Sequence, residues 1–449
     1  MFDNMTEAQA REKILEMVGE YCDRFHGKRE EFREGMRIPY AGRVYDRAEM
    51  TNLVDAALEF WLTSGRYTAQ FEKELAAFLK VRFASFVGSG SSANLLAFMT
   101  LTAPELKERQ IRPGDEVITV AAGFPTTVTP IIQYGAVPVF VDVTIPYYNI
   151  DVDRLEAALS PRTKAVMLAH TLGNPFNLKA VTEFCKDHGL WLIEDNCDAL
   201  GSVYELDGRE GFTGTFGDLG TSSFYPPHHM TTGEGGAVYT DNALLYALSR
   251  SFRDWGRDCR CASGEDNLCG HRYDGQFGEL PAGYDHKYVY SHFGYNLKAT
   301  DLQAAIGCAQ LKKLPGFTEA RRANFDFLTG EMEDLSDKII LPKAEPHSRP
   351  SWFGYLITVD PASGTDRNHL VRFLEDRGIQ TRMLFSGNLT RHPCFDQMRR
   401  SGEGYRISGD LETTDRIMRD TFWIGVSPAM DQARLKYMAD SIREGLKKA

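Results

Sequence analysis

The sequence predicts an α/β fold, a large and mostly parallel sheet covered by helices plus a smaller C-terminal α+β unit, on three observations. From about residue 84, short apolar or β-branched runs (ASFVG, EVITVAA, VPVFVDV, AVMLAH, WLIEDN) recur between Gly, Pro, Asn and Asp. Segments with helical spacing, such as SANLLAFMTLTA and LKAVTEFCKDHG, lie between several of them. Strand–helix alternation of this kind builds a parallel sheet buried on both faces. After residue 340 the pattern changes to WFGYLITV, a helix near HLVRFLEDRG and a closing helix at DQARLKYMADSIREGL.

At 449 residues the chain is longer than one average domain. Residues 5–35 read as a charged helical arm, and we expect divisions at 1–36, 37–310 and 311–449. The helical stretch TDLQAAIGCAQLKKLPGFTEARRANFDFLTGEMEDL crosses the second division, with Pro315 expected to kink or break it. Residues 254–290 are rich in Gly, Asp, Arg and Cys with little periodicity, and irregular runs of that length inside a domain are usually functional.

Hydrophobic residues at 43% and charged residues at 25% are the balance of a soluble protein with a sizeable core. A net charge of -11 with no basic run argues against nucleic acid as a partner. No apolar stretch approaches a membrane span, and MFDNMTEAQAREKILEMV lacks a signal-peptide core, so a cytoplasmic location without membrane contact is expected. In that setting the eight cysteines are not expected to form a disulfide framework.

Candidate chemistry gathers at the carboxyl ends of the strands. In VGSGSSANLLAF a strand ends in Gly88-Ser89-Gly90-Ser91-Ser92 and a helix follows, which suits a phosphate; an ordinary Ser cap explains the same residues. WLIEDNCDALGS delivers Glu194 and Asp195 to a strand end, where a carboxylate can keep a pyridinium nitrogen protonated, or serve as a helix cap or ion pair. In VAAGFPTTVTPI, Phe124 stands where a ring can stack on a flat cofactor, or can simply be core. SSFYPPHHMTTGEGGAVY holds two adjacent histidines and no lysine.

These segments, with SGRYTAQFEKELAAF and FGYNLKATDLQAAIG and in this order, resemble the DegT/DnrJ/EryC1 family of pyridoxal phosphate (PLP) enzymes that act on nucleotide-linked sugars. The resemblance implies the aspartate-aminotransferase-like (type I PLP) fold and a homodimer with shared sites. By matching positions it makes Gly90, Ser91 and Ser223 phosphate contacts, Phe124 the ring-stacking residue and Asp195 the pyridine-nitrogen partner. It makes Asn296 a phosphate contact from a second subunit. Asp198 stands where the family commonly has Gln.

His228 falls at the position of the family's Schiff-base lysine, and no lysine occurs between Lys186 and Lys287. Imidazole cannot form the stable imine that anchors PLP, so a normal aminotransferase is not expected. With the amine form, pyridoxamine phosphate (PMP), no anchor is needed, and an imidazole that titrates near neutral pH can act as general base. The histidine is similar to that of the 3-dehydratases of 3,6-dideoxysugar synthesis, the pathway of lipopolysaccharide O-antigens. Tyr225, three residues earlier, matches a tyrosine of the cluster-bearing members and either orients the cofactor–sugar adduct, steadies a radical or merely packs.

Cys259-x-Cys261-x7-Cys269 is a compact thiol group, and 61 residues separate it from Cys197 beside Asp195. Four thiolates suit a [2Fe–2S] centre, and the pattern resembles that of the cluster-bearing dehydratases, with the two short spacings in agreement and the long one slightly expanded. Zinc is the rival, although C-x-C is atypical of structural zinc, and free surface thiols are the remaining alternative. The resemblance then implies a CDP-linked 4-keto-6-deoxyhexose as substrate and a flavin and iron–sulfur, NADH-dependent reductase as partner. GEGGAV is not followed by a helix and an acidic residue, so NADH is expected on that partner. The alternatives are a cluster-free NDP-sugar 3-dehydratase and a non-catalytic PLP-fold protein that binds a ligand or zinc. Arg382 and His392 in TRMLFSGNLTRHP are further candidates for sugar-diphosphate contact.

Overall fold

The computed structural model describes residues 2–27 and 30–447. Its centre is an eight-stranded sheet in the order Phe83–Val87, Gly236–Thr240, Leu219–Ser223, Trp191–Asp195, Thr163–Ala169, Glu116–Val120, Val137–Val141, Arg406–Ile407. Gly236–Thr240 runs antiparallel to both neighbours, and every other pair is parallel. The five apolar runs read as strands are all in this sheet. Their near-continuous burial follows from helices on both faces: Trp191–Asp195 is buried at every position.

A second, antiparallel sheet of four short strands contains Gly354–Val359 and Thr421–Gly425, packed by helices Arg367–Asp376 and Gln432–Gly445. These are the C-terminal segments expected from their patterns. Its neighbour, Arg406–Ile407, instead joins the edge of the large sheet. The N-terminal arm is a helix only over Glu7–Phe25, and Arg11 ties it to Asp55 at 2.6 Å.

Pro315 does not break its helix, which runs unbroken over Asp301–Met332. The ring costs about 3 kcal/mol in a helix interior. Against it stand Leu311 and Leu314 in one core and Phe325, Leu328 and Met332 in another, each stabilising by roughly 1.5–3 kcal/mol. Packing on both sides outweighs the local penalty.

Candidate active site

The strand ends meet around Asp195. Its carboxylate accepts from Asn94 Nδ2 and Thr127 Oγ1, both at 2.7 Å, and from the backbone N–H of Cys197 at 3.2 Å. Asn94 lies one turn into helix Gly90–Thr100, and Thr127 lies in the first turn of helix Pro125–Tyr134, which starts after Phe124. The adjacent Glu194 points the other way. It accepts from Gly214, Phe216 and Gly217 N–H groups at 2.6–2.8 Å and faces His170 Nε2 at 2.9 Å. Alternation along the strand therefore gives the two carboxylates opposite tasks, and only Asp195 is at the site.

The Gly90 turn closes on the same place. A Cβ at Gly90 would lie 2.4 Å from Ser223 Cβ and 3.1 Å from Cys197 Sγ, so only glycine lets the helix start approach the strand end so closely. Ser89 caps that helix by accepting from Ser92 N–H at 3.0 Å. Ser91 is exposed beside it, and Ser223 is buried. Phe124 is about half exposed, 6.0 Å from the Phe385 ring and nearly perpendicular to it.

His228 sits in a turn closed by its own N–H to Tyr225 O at 2.9 Å. The buried Arg321, on the long helix, donates to Pro227 O at 3.4 Å and His228 O at 3.1 Å, and thus grips the turn by its backbone. The imidazole packs on Phe353 at 5.2 Å, with Tyr225 6.4 Å away. Its Nδ1 lies 3.3 Å from Asp198 Oδ1. Burial raises the Asp198 carboxyl above its usual range, and His228 opposes that rise. His229 is different: it is buried with Nε2 2.6 Å from Ser351 O, and burial plus the Arg321 charge push it well below the usual histidine range.

Gly90, Phe124, Asp195, Cys197, Ser223, Tyr225 and His228 thus form one chain of neighbours. Asn94, Thr127, Arg321 and Phe353 belong to it and were not anticipated. Asn94 had a signal, being four residues after Gly90 and so on the same helix face. Arg321 and Phe353 come from distant segments and had none. Asn296 is exposed, its backbone bridged to Asp254, and the next carbonyl, Leu297 O, accepts from Gly88 N–H at 2.9 Å. Arg382 lies over the Tyr40 ring and His392 bonds Ser386 O, so both are engaged within the fold.

The four candidate metal ligands are not gathered: among the described residues no three His, Cys, Asp or Glu side chains converge on a metal-binding position. Cys259 lies against Cys261; burial and that neighbour raise its thiol. Both line a cavity of about 700 Å³ with Trp61, Arg66, Trp255 and Lys298. Cys269 sits with His286, which lowers its thiol, and Cys197 stays beside Asp195, its thiol raised by burial and that charge. The expected ligands Cys197, Cys259, Cys261 and Cys269 therefore stand in separate surroundings, and a metal that binds cysteine as thiolate would supply the attraction that draws them together. The donor chemistry still fits, since all four are free and three share one irregular loop. For the vitamin B6 cofactor the fit is closer, with the Gly90 cradle, the Asp195 carboxylate and the exposed Phe124 ring already in place.

Comparison with known proteins agrees with this geometry. The chain is 50% identical over 440 residues to the lipopolysaccharide biosynthesis protein RfbH of Salmonella typhimurium, covering 98% of this chain and 99% of that one. It is 50% identical over 443 residues to dTDP-4-dehydro-2,6-dideoxy-D-glucose 3-dehydratase of Saccharopolyspora spinosa, covering 98% and 93%. A solved structure of E coli GDP-4-keto-6-deoxy-D-mannose-3-dehydratase with bound hydrated PLP superposes with a TM-score of 0.79 at 28% identity, covering 91% and 100%. The model of the DegT/DnrJ/EryC1/StrS aminotransferase family matches residues 44–443, and the chain belongs to that family, with its type I PLP fold.

Proposed function

We propose that this chain is a PMP-dependent 3-dehydratase of a nucleotide-linked 4-keto-6-deoxyhexose, with His228 as the general base in place of the usual lysine. One observation carries the reading. The turn that holds His228 is gripped beside Asp198, three residues along the chain from Asp195, and the chain offers no lysine between residues 186 and 287. Two 50%-identical relatives, one named a 3-dehydratase and the other a lipopolysaccharide biosynthesis protein, support it.

When bound, the cofactor supplies an electron sink for carbon–oxygen bond cleavage. Asp195, held by Asn94 and Thr127, presents its carboxylate to the ring nitrogen. Gly90, Ser91 and Ser223 seat the phosphate, Phe124 covers the ring face, and Asn296 reaches the partner subunit's phosphate in a homodimer. His228 moves the proton, with Asp198 on its Nδ1 side orienting Nε2 toward the site. Tyr225, about half exposed beside it, orients the sugar.

Cys197, Cys259, Cys261 and Cys269 are read as ligands of a [2Fe–2S] centre that forms when the loop closes on Cys197. A flavin and iron–sulfur, NADH-dependent reductase is the matching electron donor, a CDP-linked 4-keto-6-deoxyhexose the matching substrate, and the cytoplasm the matching compartment. No described helix is long and apolar enough to cross a membrane. The ungathered thiols favour a second reading, a cluster-free 3-dehydratase. Iron and acid-labile sulfide in anaerobically purified protein separate the two.

His228→Lys tests the base assignment. Supplied with the aldehyde form, PLP, the variant should hold it covalently as an imine, with its yellow absorbance, and lose dehydration. Unchanged dehydration would remove His228 from the role.

A further inference from the structure

A turn from the smaller sheet reaches across to the residue read as the cover of the cofactor ring. Leaving the short strand Thr381–Arg382, the chain bends sharply, and Gly387 N–H donates to Leu384 O at 2.8 Å. Trp423 Nε1 donates to Met383 O at 3.0 Å on one side of the bend, and Leu389 N–H donates to Ala121 O at 3.0 Å on the other. Ser386 Oγ donates to Gly123 O at 2.7 Å, on the residue just before Phe124. Phe385 is half-buried and has a φ of 46°, in the left-handed region that a bulky residue rarely occupies. Glycine would adopt this backbone freely, so the turn by itself does not call for an aromatic side chain.

The ring that the turn delivers is the one aromatic ring packed on Phe124 among the described residues, at 6.0 Å and 80° between planes. The Phe124 backbone is already settled: it is extended, as suits the residue before Pro125, and that proline starts a helix. What remains open is the tilt of its ring. A perpendicular contact engages at most one face of that ring and leaves the other open to a flat partner. Backbone strain persists only where the surroundings over-determine it, and it gathers at ligand clamps. We propose that Phe385 is a positioning residue for the cofactor: its ring sets the tilt of Phe124 and so the plane on which the vitamin B6 ring stacks. The inference rests on the reading of Phe124 as the stacking residue. Phe385 acts through Phe124 and meets no reacting atom, so it is not a catalytic residue.

The test titrates the full-length protein, stripped of cofactor, with PMP itself, after melting curves have shown that each variant folds. Two readouts are followed: the dissociation constant, and the circular-dichroism band that the achiral cofactor acquires when a site holds it in one orientation. Phe385→Gly keeps the turn and removes the ring; the dissociation constant should rise about three- to tenfold and the band should weaken. Phe385→Tyr, which keeps the ring edge, should stay within about twofold of wild type. A Gly variant with wild-type affinity and band overturns the inference, as does a Tyr variant as weak as the Gly variant. If Phe385→Gly does not fold, Phe385→Leu decides: weaker PMP binding supports the inference, and wild-type binding overturns it. Coupling gives the sharpest check, since adding Phe385→Gly to Phe124→Leu should weaken binding no further, and full additivity overturns the inference. If Phe124→Leu alone leaves PMP affinity unchanged, the stacking reading fails and takes this inference with it; if Phe124→Leu weakens binding and Phe385→Gly does not, the inference alone fails.

Discussion

The ring end of the site and the cysteine loop are built on opposite principles. Around Asp195 the side chains are buried, paired and held by strand ends and helix starts. Over residues 254–290 the only regular piece is the short turn His286–Tyr288, and Trp255, Tyr273, Tyr288 and Tyr290 are exposed. A carboxylate that meets a flat ring works best when its position is settled before the ring arrives. Thiols that meet iron can be ordered by the metal itself. Rigidity is therefore concentrated where the protein alone must supply geometry.

The sharpest challenge to that contrast is His228→Asn, which keeps the turn but removes the proposed base. We expect dehydration to fall by about 10²- to 10⁴-fold, measured by product formation, with thermal stability nearly unchanged. Asn94→Leu strikes the rigid end instead. It strips Asp195 of one donor and leaves Thr221 Oγ1, which donates to Asn94 Oδ1 at 2.7 Å, without its acceptor. The expected loss is about 1–3 kcal/mol in denaturant unfolding, together with weaker cofactor retention.

His229 gives a pH signature of the same region. Its folded form stays neutral while the unfolded chain takes up a proton below the usual value of 6.5. The unfolded state then binds more protons, so this contribution is complete above pH 6.5 and is lost as pH falls below it. His229→Gln should flatten the fall in stability from pH 6.5 to 5 relative to wild type, read from melting curves. The smallest effect belongs to the loop. Cys259→Ser should change unfolding free energy by no more than about 0.5 kcal/mol while iron content drops. A large destabilisation there would show that the loop is part of the core and end the comparison.

Much of the fold was legible because burial on both faces writes itself as uninterrupted apolar runs, and the five runs became five neighbouring or near-neighbouring strands. Asp195 was legible as a strand-end carboxylate, but its division of labour with Glu194 depends on which way each side chain alternates and on the 214–217 turn that receives Glu194. Pro315 misled because a propensity is local, whereas the two cores that hold its helix are assembled from segments far apart. Arg321 and Phe353 meet His228 only through the tertiary fold, so nothing near either one in the chain announces it. Spacing grouped the cysteines by number, but it carries no information about which neighbours the fold gives each one: Cys259 has Cys261, Cys269 has His286 and Cys197 has Asp195.

The turn at 225–228 is secured by main-chain atoms: one N–H to Tyr225 O and two carbonyls to Arg321. None of these bonds consults the side chain of residue 228. A substitution at 228 would therefore change the chemical group on display while leaving intact the main-chain bonds that display it.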